Sequence, residues 1–138
     1  MENIQTTLDS TLENVDKAED MVLRAARDVG FDEDEQHSIG MAVRECLVNA
    51  VVHGNRYSKN KRVHFSIEST SESLVVTVGD EGAGFDIGSL PDPLASENLL
   101  RQSGRGFLLI RAFMDDVAVQ PRPGGGTEVR LVKNRIAS

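Results

Sequence analysis

The sequence MAVRECLVNAVVHGN, at residues 41–55, constrains the fold of this chain more than any other feature. Its apolar residues recur at steps of three and four, which predicts an amphipathic helix over residues 34–53 with one face in the core. Glu45, Asn49 and His53 are spaced four residues apart, so they form a separate stripe on a neighbouring face. An acid, an amide and an imidazole in one column suit either a binding site or a solvated helix face, and this helix alone leaves both readings open.

Composition limits what such a site can bind. The 138 residues include 22 acidic and 15 basic side chains, and the net charge of −7 at pH 7 argues against direct nucleic-acid binding. A small anionic ligand would therefore need favourable electrostatic interactions with helix N-termini, a metal ion or a few basic side chains that point towards it.

The sequence has neither a signal-peptide pattern nor an apolar run of membrane length, so we expect a cytoplasmic protein with no membrane partner. Its length predicts a single domain, residues 1–138.

The other periodicities predict how the chain is arranged around this helix. Two alternating pairs of apolar segments are typical of β-hairpins, and the helices are grouped rather than alternating with strands. This order predicts an α+β fold, a two-layer sandwich with helices on one face of a mostly antiparallel sheet. The predicted elements are a strand or tail at residues 4–8, helices at 12–29 and 107–114, and strands at 63–67, 74–78, 117–119 and 129–131. The single cysteine, Cys46, falls on the apolar side of the central helix, so we interpret it as a core residue.

Two glycine-containing segments have the chemistry of a nucleotide pocket. Asp80 ends a predicted strand, and Gly82 and Gly84 follow it, so a sheltered carboxylate lies where backbone can approach a ligand closely. Such a carboxylate suits the exocyclic amine of adenine. The G-R-G sequence at residues 104–106 opens a helix, where backbone N–H groups and the helix dipole attract phosphate. Either segment alone is also typical of an ordinary turn.

In combination, these elements resemble a known family. The chain contains E-x-x-x-N with N-A-x-x-H on the helix, D-x-G-x-G-F at a strand end, then G-R-G-F-L-L-I and a terminal G-T. This order resembles the GHKL (Bergerat-fold) ATP-binding domain shared by gyrase, mismatch-repair and heat-shock chaperone ATPases, and histidine kinases. The resemblance covers about residues 15–133. Within the superfamily, the helix motif and the closing G-T-E-V-R-L-V-K resemble those of anti-sigma factor serine kinases.

The resemblance implies a role for each motif residue. Glu45 would be the general base that takes a proton from an attacking hydroxyl, Asn49 would bind the Mg²⁺ that bridges the ATP phosphates, and Asp80 would bind the adenine amine. Residues 86–103 would form the ATP lid, although this segment ends in S-G-R-G-F rather than the commoner G-L-G-L. The other implied cofactor-binding residues are His53, Gly82, Gly84, Gly104, Arg105, Gly106 and Thr127.

The resemblance also implies a function. It points to an ATP- and Mg²⁺-dependent serine kinase that holds a sigma factor or another client and phosphorylates a small anti-anti-sigma (STAS-type) antagonist. A Walker A motif and the motifs of eukaryotic-type protein kinases are absent from the sequence. Two alternatives stay open: a nucleotide-gated adaptor that transfers no phosphate, and a detached histidine-kinase catalytic domain. A homodimer formed through an exposed first strand at residues 4–8 is compatible with either.

Overall fold

The structure is a computed structural model that describes residues 2–82 and 106–135. Within these residues the helices are α1 (Leu12–Val29), α2 (Glu33–Val48) and α3 (Gly106–Phe113), and a π-helical segment (Asn49–Gly54) continues α2. The strands are β1 (Glu2–Asp9), β2 (Arg62–Ser69), β3 (Ser73–Gly79), β4 (Asp116–Pro121) and β5 (Thr127–Asn134). The described strands form one antiparallel sheet in the order β1-β2-β3-β5-β4. The predicted α+β sandwich is therefore confirmed.

Alternation along the strands places the core on the helix side of the sheet. Phe65 of β2 pairs with Val78 of β3, and all the inward-facing apolar residues of these two strands are buried. The opposite face carries polar side chains such as those of Ser66 and Thr77. Because β3 also pairs with β5, the end of β3 lies beside Thr127 at the start of β5. The sheet thereby brings together two predicted site segments that are far apart in the sequence.

The first two helices begin at their sequence signals, and α1 also ends at one. Thr11 caps α1 through a 3.2 Å hydrogen bond from a first-turn N–H, and Gly30 ends it with a left-handed φ of 106°. Asp32 caps α2 by accepting the N–H of Glu35 at 2.7 Å. These local contacts fix where each helix starts, so the apolar stripes of both face the sheet.

The central helix differs from the single α-helix predicted over residues 34–53. It is α-helical only to Val48 and then widens into the π-helical segment. The N–H of Asn55 donates to the carbonyl of Ala50 at 2.8 Å, and this i to i+5 bond closes the wide turn. Short π-helical segments within α-helices are frequent at functional sites.

Cys46 lies in the core, as predicted. It is 3% exposed, and burial raises the pKa of its thiol, with a smaller contribution from the negative charge of Glu45. We therefore expect Cys46 to resist thiol reagents in the folded protein at pH 8 and to react within minutes once the chain is unfolded. Thiol titration with and without denaturant measures this difference, and fast labelling of the native protein would contradict it.

Candidate functional site

Asp80 is the centre of the candidate site. It follows the last residue of β3 and is 8% exposed. Its Oδ1 atom accepts hydrogen bonds from the backbone N–H groups of Gly82 at 3.0 Å and Thr127 at 3.2 Å. Its own N–H donates to the carbonyl of Thr127 at 2.9 Å. Oδ2 accepts no hydrogen bond from residues 2–82 or 106–135, so one carboxylate oxygen is available to a ligand.

The environment of Asp80 disfavours its charged form. Burial raises the pKa of this carboxyl, because the ionised group loses solvation. The N–H groups of Gly82 and Thr127, and the charges of Arg122 and Lys61, oppose the shift without cancelling it. A ligand that donates a hydrogen bond to Oδ2 would restore part of the lost solvation.

Glycines surround this carboxylate at distances that no side chain tolerates. A Cβ atom on Gly54 would overlap the carboxylate of Asp80, and one on Gly82 would overlap the carbonyl of Gly54. A Cβ on Gly126, whose φ is 95°, would overlap the carbonyl of Asp80. The close contact at Gly82 is with the backbone of Gly54, and its approach to a ligand stays a prediction. No sequence signal distinguishes Gly54 from an ordinary glycine at the end of a helix.

Glu45 and Asn49 occupy consecutive turns at the point where α2 becomes π-helical, and both are partly buried. The side-chain nitrogen of Asn49 is buried and has no hydrogen-bond partner in the described part of the chain. Unpaired buried amides are rare in folded proteins, and this nitrogen can donate a hydrogen bond to an acceptor such as a phosphate oxygen, whereas a cation would bind the amide oxygen. An amide and a carboxylate on adjacent turns fit a hard cation that takes its other ligands from water and phosphate.

No group of three or more histidine, cysteine, aspartate or glutamate side chains is arranged as a metal cluster in either described range. A Mg²⁺ ion bound together with a nucleotide does not need one, since it keeps several waters and binds phosphate oxygens.

The remaining predicted residues fall into three groups. His53 lies in the π-helical segment and is exposed. Thr127 is 5% exposed and contacts Asp80 through its backbone, and Gly106 is the first residue of α3. Gly84, Gly104, Arg105 and the segment 86–103 lie outside the described residues.

Two further residues beside Asp80 were not expected from the sequence. The Nε atom of Arg122 donates to the carbonyl of Asp80 at 3.0 Å. The Oδ1 atom of Asn55 accepts the N–H of Glu81 at 2.8 Å. Arg122 lies in the PRPGGG turn and Asn55 in a turn after a helix, where both residue types are ordinary, so no sequence signal distinguishes them.

Comparison with known proteins places the chain in a family. The family model described as histidine kinase-like ATPase domain matches residues 8–133. The anti-sigma F factor of Bacillus subtilis (strain 168) is 34% identical over 103 residues, which are 73% of this chain and 70% of that protein. The anti-sigma F factor of Pasteuria penetrans is 34% identical over 108 residues, which are 76% of this chain and 72% of that protein.

Solved structures share the fold at lower identity. The RsbU and RsbW domains of a Mycobacterium tuberculosis protein match with a TM-score of 0.66 at 16% identity, covering 99% of this chain and 33% of that chain. The catalytic domain of the histidine kinase ThkA matches with a TM-score of 0.61 at 13% identity, covering 98% of this chain and 99% of that chain. None of the helices described here is long and apolar enough to cross a membrane. This chain therefore belongs to the histidine kinase-like ATPase domain family, in the group that includes the anti-sigma F factors.

Proposed function

We propose that this protein is an ATP- and Mg²⁺-dependent serine kinase of the partner-switching type. The observation that carries the proposal is the buried Asp80 carboxylate, which lies among closely packed glycines next to the end of the π-helical segment and has one oxygen that accepts no hydrogen bond from the described residues. A carboxylate oxygen that accepts no hydrogen bond within residues 2–82 and 106–135 suits the amino group of adenine, which donates two. The identity to anti-sigma F factors supports the choice of a kinase over other ATP-binding proteins.

Each residue of the candidate site has a distinct task in this proposal. Asp80 binds the adenine amine, and the absence of side chains at Gly54 and Gly82 lets the end of the π-helical segment and residues 80–82 pack directly against each other. Asn49 holds the magnesium ion that accompanies the triphosphate, and the bound nucleotide supplies the phosphoryl group. Glu45, one helical turn from Asn49, accepts the proton of the serine hydroxyl that attacks. Transfer of this kind needs positioning and charge stabilisation more than covalent chemistry by the protein.

The other proposed nucleotide contacts keep the roles that the resemblance implies. We propose that the chain is a single domain, residues 1–138, in which residues 86–103 form a lid. We also propose that the nucleotide bound at the site determines which partner binds, through this lid. The nucleotide contacts that go with it are His53, Gly84, Gly104, Arg105, Gly106 and Thr127.

The proposed partners are a sigma factor or similar client and a small antagonist protein that receives the phosphate. Relatives named as anti-sigma F factors support the first of these. The net charge of −7 argues against a direct nucleic-acid partner. Since β1 is an edge strand of the sheet, we expect that any homodimer uses it.

The test is to incubate the purified protein with Mg-ATP and each small STAS-type protein from the same genome, and then to measure intact masses. We expect one added phosphate on one of them, and we expect it to survive acid as phosphoserine does. ATP binding without transfer would favour the nucleotide-gated adaptor. An acid-labile phosphate would favour a histidine-kinase catalytic domain, and failure to bind ATP would contradict the whole proposal.

A further inference from the structure

Asn55 is buried beside the candidate site, and both the nitrogen and the oxygen of its side-chain amide form hydrogen bonds. It follows the π-helical segment directly and is 1% exposed. Its Nδ2 atom donates to the Oγ of Ser10 at 2.9 Å and to the carbonyl of Arg62 at 3.0 Å, while its Oδ1 atom accepts the N–H of Glu81 at 2.8 Å. An asparagine amide has two donor hydrogens, so both donors and the carbonyl are engaged.

One of these bonds acts directly on residues 80–82, which follow β3 and are called the Asp80 loop below. The N–H of Glu81 belongs to the planar peptide group that joins it to Asp80, so the bond from Asn55 fixes the orientation of that plane. Asn55 also follows Gly54, the residue against which the carboxylate of Asp80 packs. The Asn55 side chain therefore sets how the loop lies against the end of the π-helical segment.

Ser10 connects this contact to the start of the first helix. It is 3% exposed and lies between β1 and Thr11, the residue that caps α1. Its hydroxyl accepts from Asn55 and donates to the carbonyl of Lys61 at 2.6 Å. A buried chain of hydrogen bonds in which every member is satisfied is rigid, and its bonds strengthen one another. The β1–α1 junction, the start of β2 and the Asp80 loop are thus held as one unit.

We propose that Asn55 is a positioning residue that orients the Asp80 carboxylate towards the amino group of adenine, and that Ser10 supports it from the β1–α1 junction. This inference rests on the proposed function, in which Asp80 binds adenine. Asn55 is too buried to contact the nucleotide, so it acts only through the loop. A carboxylate oxygen held at a fixed angle accepts a hydrogen bond from the amino group of adenine and repels the carbonyl oxygen of hypoxanthine. The orientation of the Asp80 carboxylate therefore determines the preference for adenine over hypoxanthine.

The preference for ATP over inosine triphosphate (ITP) tests this role, because ITP has a carbonyl oxygen where ATP has the amine. Equilibrium binding of both nucleotides should be measured for the wild type, Asn55→Ala, Ser10→Ala and Asn60→Ala. We expect Asn55→Ala to weaken ATP binding about tenfold and ITP binding much less, and Ser10→Ala to weaken ATP binding about threefold. Asn60 is exposed in the turn that follows Asn55, so Asn60→Ala is the matched control and should bind both nucleotides as the wild type does.

The ratio of the two affinities separates positioning from simple destabilisation. A purely structural Asn55 would lower the affinity for ATP and ITP by the same factor, so an unchanged ratio in Asn55→Ala overturns the inference. If Asn55→Ala does not fold, the ratio in Ser10→Ala decides the question in the same way. A wild-type protein that binds neither nucleotide contradicts the proposed function itself. A wild type that binds both equally contradicts the adenine role of Asp80 and, with it, that of Asn55.

Discussion

Replacing Glu45 with glutamine is expected to slow phosphoryl transfer to the partner protein by at least about a hundredfold, while ATP affinity stays within about twofold of the wild type. Glutamine keeps the size of the side chain and its hydrogen-bonding oxygen, but it does not take a proton at neutral pH. Glu45 lies on the last turns of α2, one turn from Asn49, so the change removes the base without removing the residue proposed to hold the metal. Single-turnover transfer followed by intact mass, with calorimetric titration of ATP, measures both quantities.

Glu33 offers the control for this experiment. It lies on the same helix but in the first turn, and its side chain is exposed. Glu33→Gln changes the net charge by the same amount and should transfer phosphate at the wild-type rate. Unchanged transfer in Glu45→Gln would remove Glu45 from the mechanism, and equal losses of transfer and ATP affinity would mean that Glu45 serves binding instead.

Features encoded by neighbouring residues were predictable from the sequence. The caps at Thr11 and Asp32 and the left-handed Gly30 depend on contacts within a few residues, so their residue types alone indicate them. The alternation in β2 and β3 likewise follows from one buried face. The α+β class followed because it requires only the order of such elements.

Features that depend on distant partners were not predictable. The Asn55 side chain binds Ser10, which precedes it by 45 residues, and Glu81, which follows it by 26 residues. The residues that flank Asn55 in the sequence are those of an ordinary turn. The π-helical segment is similar, because helical periodicity does not reveal where an i to i+5 bond replaces an i to i+4 bond. The family motif identified Asp80, yet the crowding of Gly126 against it follows from the pairing of β3 with β5, and that of Gly54 from the packing of the helix end against the end of β3.

Asp80→Asn is expected to weaken ATP binding by about a hundredfold, since a bond to a charged acceptor is lost and a donor is placed against the adenine amine. The asparagine oxygen can still accept the N–H groups of Gly82 and Thr127, so the loop itself should keep its shape. Titration with ATP and ITP measures the effect, and ITP should lose far less affinity than ATP. Asp116→Asn, at an exposed position, is the control and should bind ATP normally. Normal ATP affinity in Asp80→Asn would mean that adenine is not bound there.

The same substitution is expected to stabilise the nucleotide-free protein. Burial raises the pKa of Asp80 above the unfolded value of 3.8, so between these two pKa values the native state binds more protons than the unfolded state. The free energy of unfolding of the wild type should therefore fall, relative to that of Asp80→Asn, as the pH rises through this window, and the deficit should persist to neutral pH. Thermal unfolding without nucleotide, from about pH 4 to about pH 8, measures this deficit.

Saturating ATP should reverse the order of the two melting temperatures, because a ligand stabilises the state that binds it. If the two free proteins melted alike at every pH, Arg122 and Lys61 would be offsetting the burial of Asp80 fully.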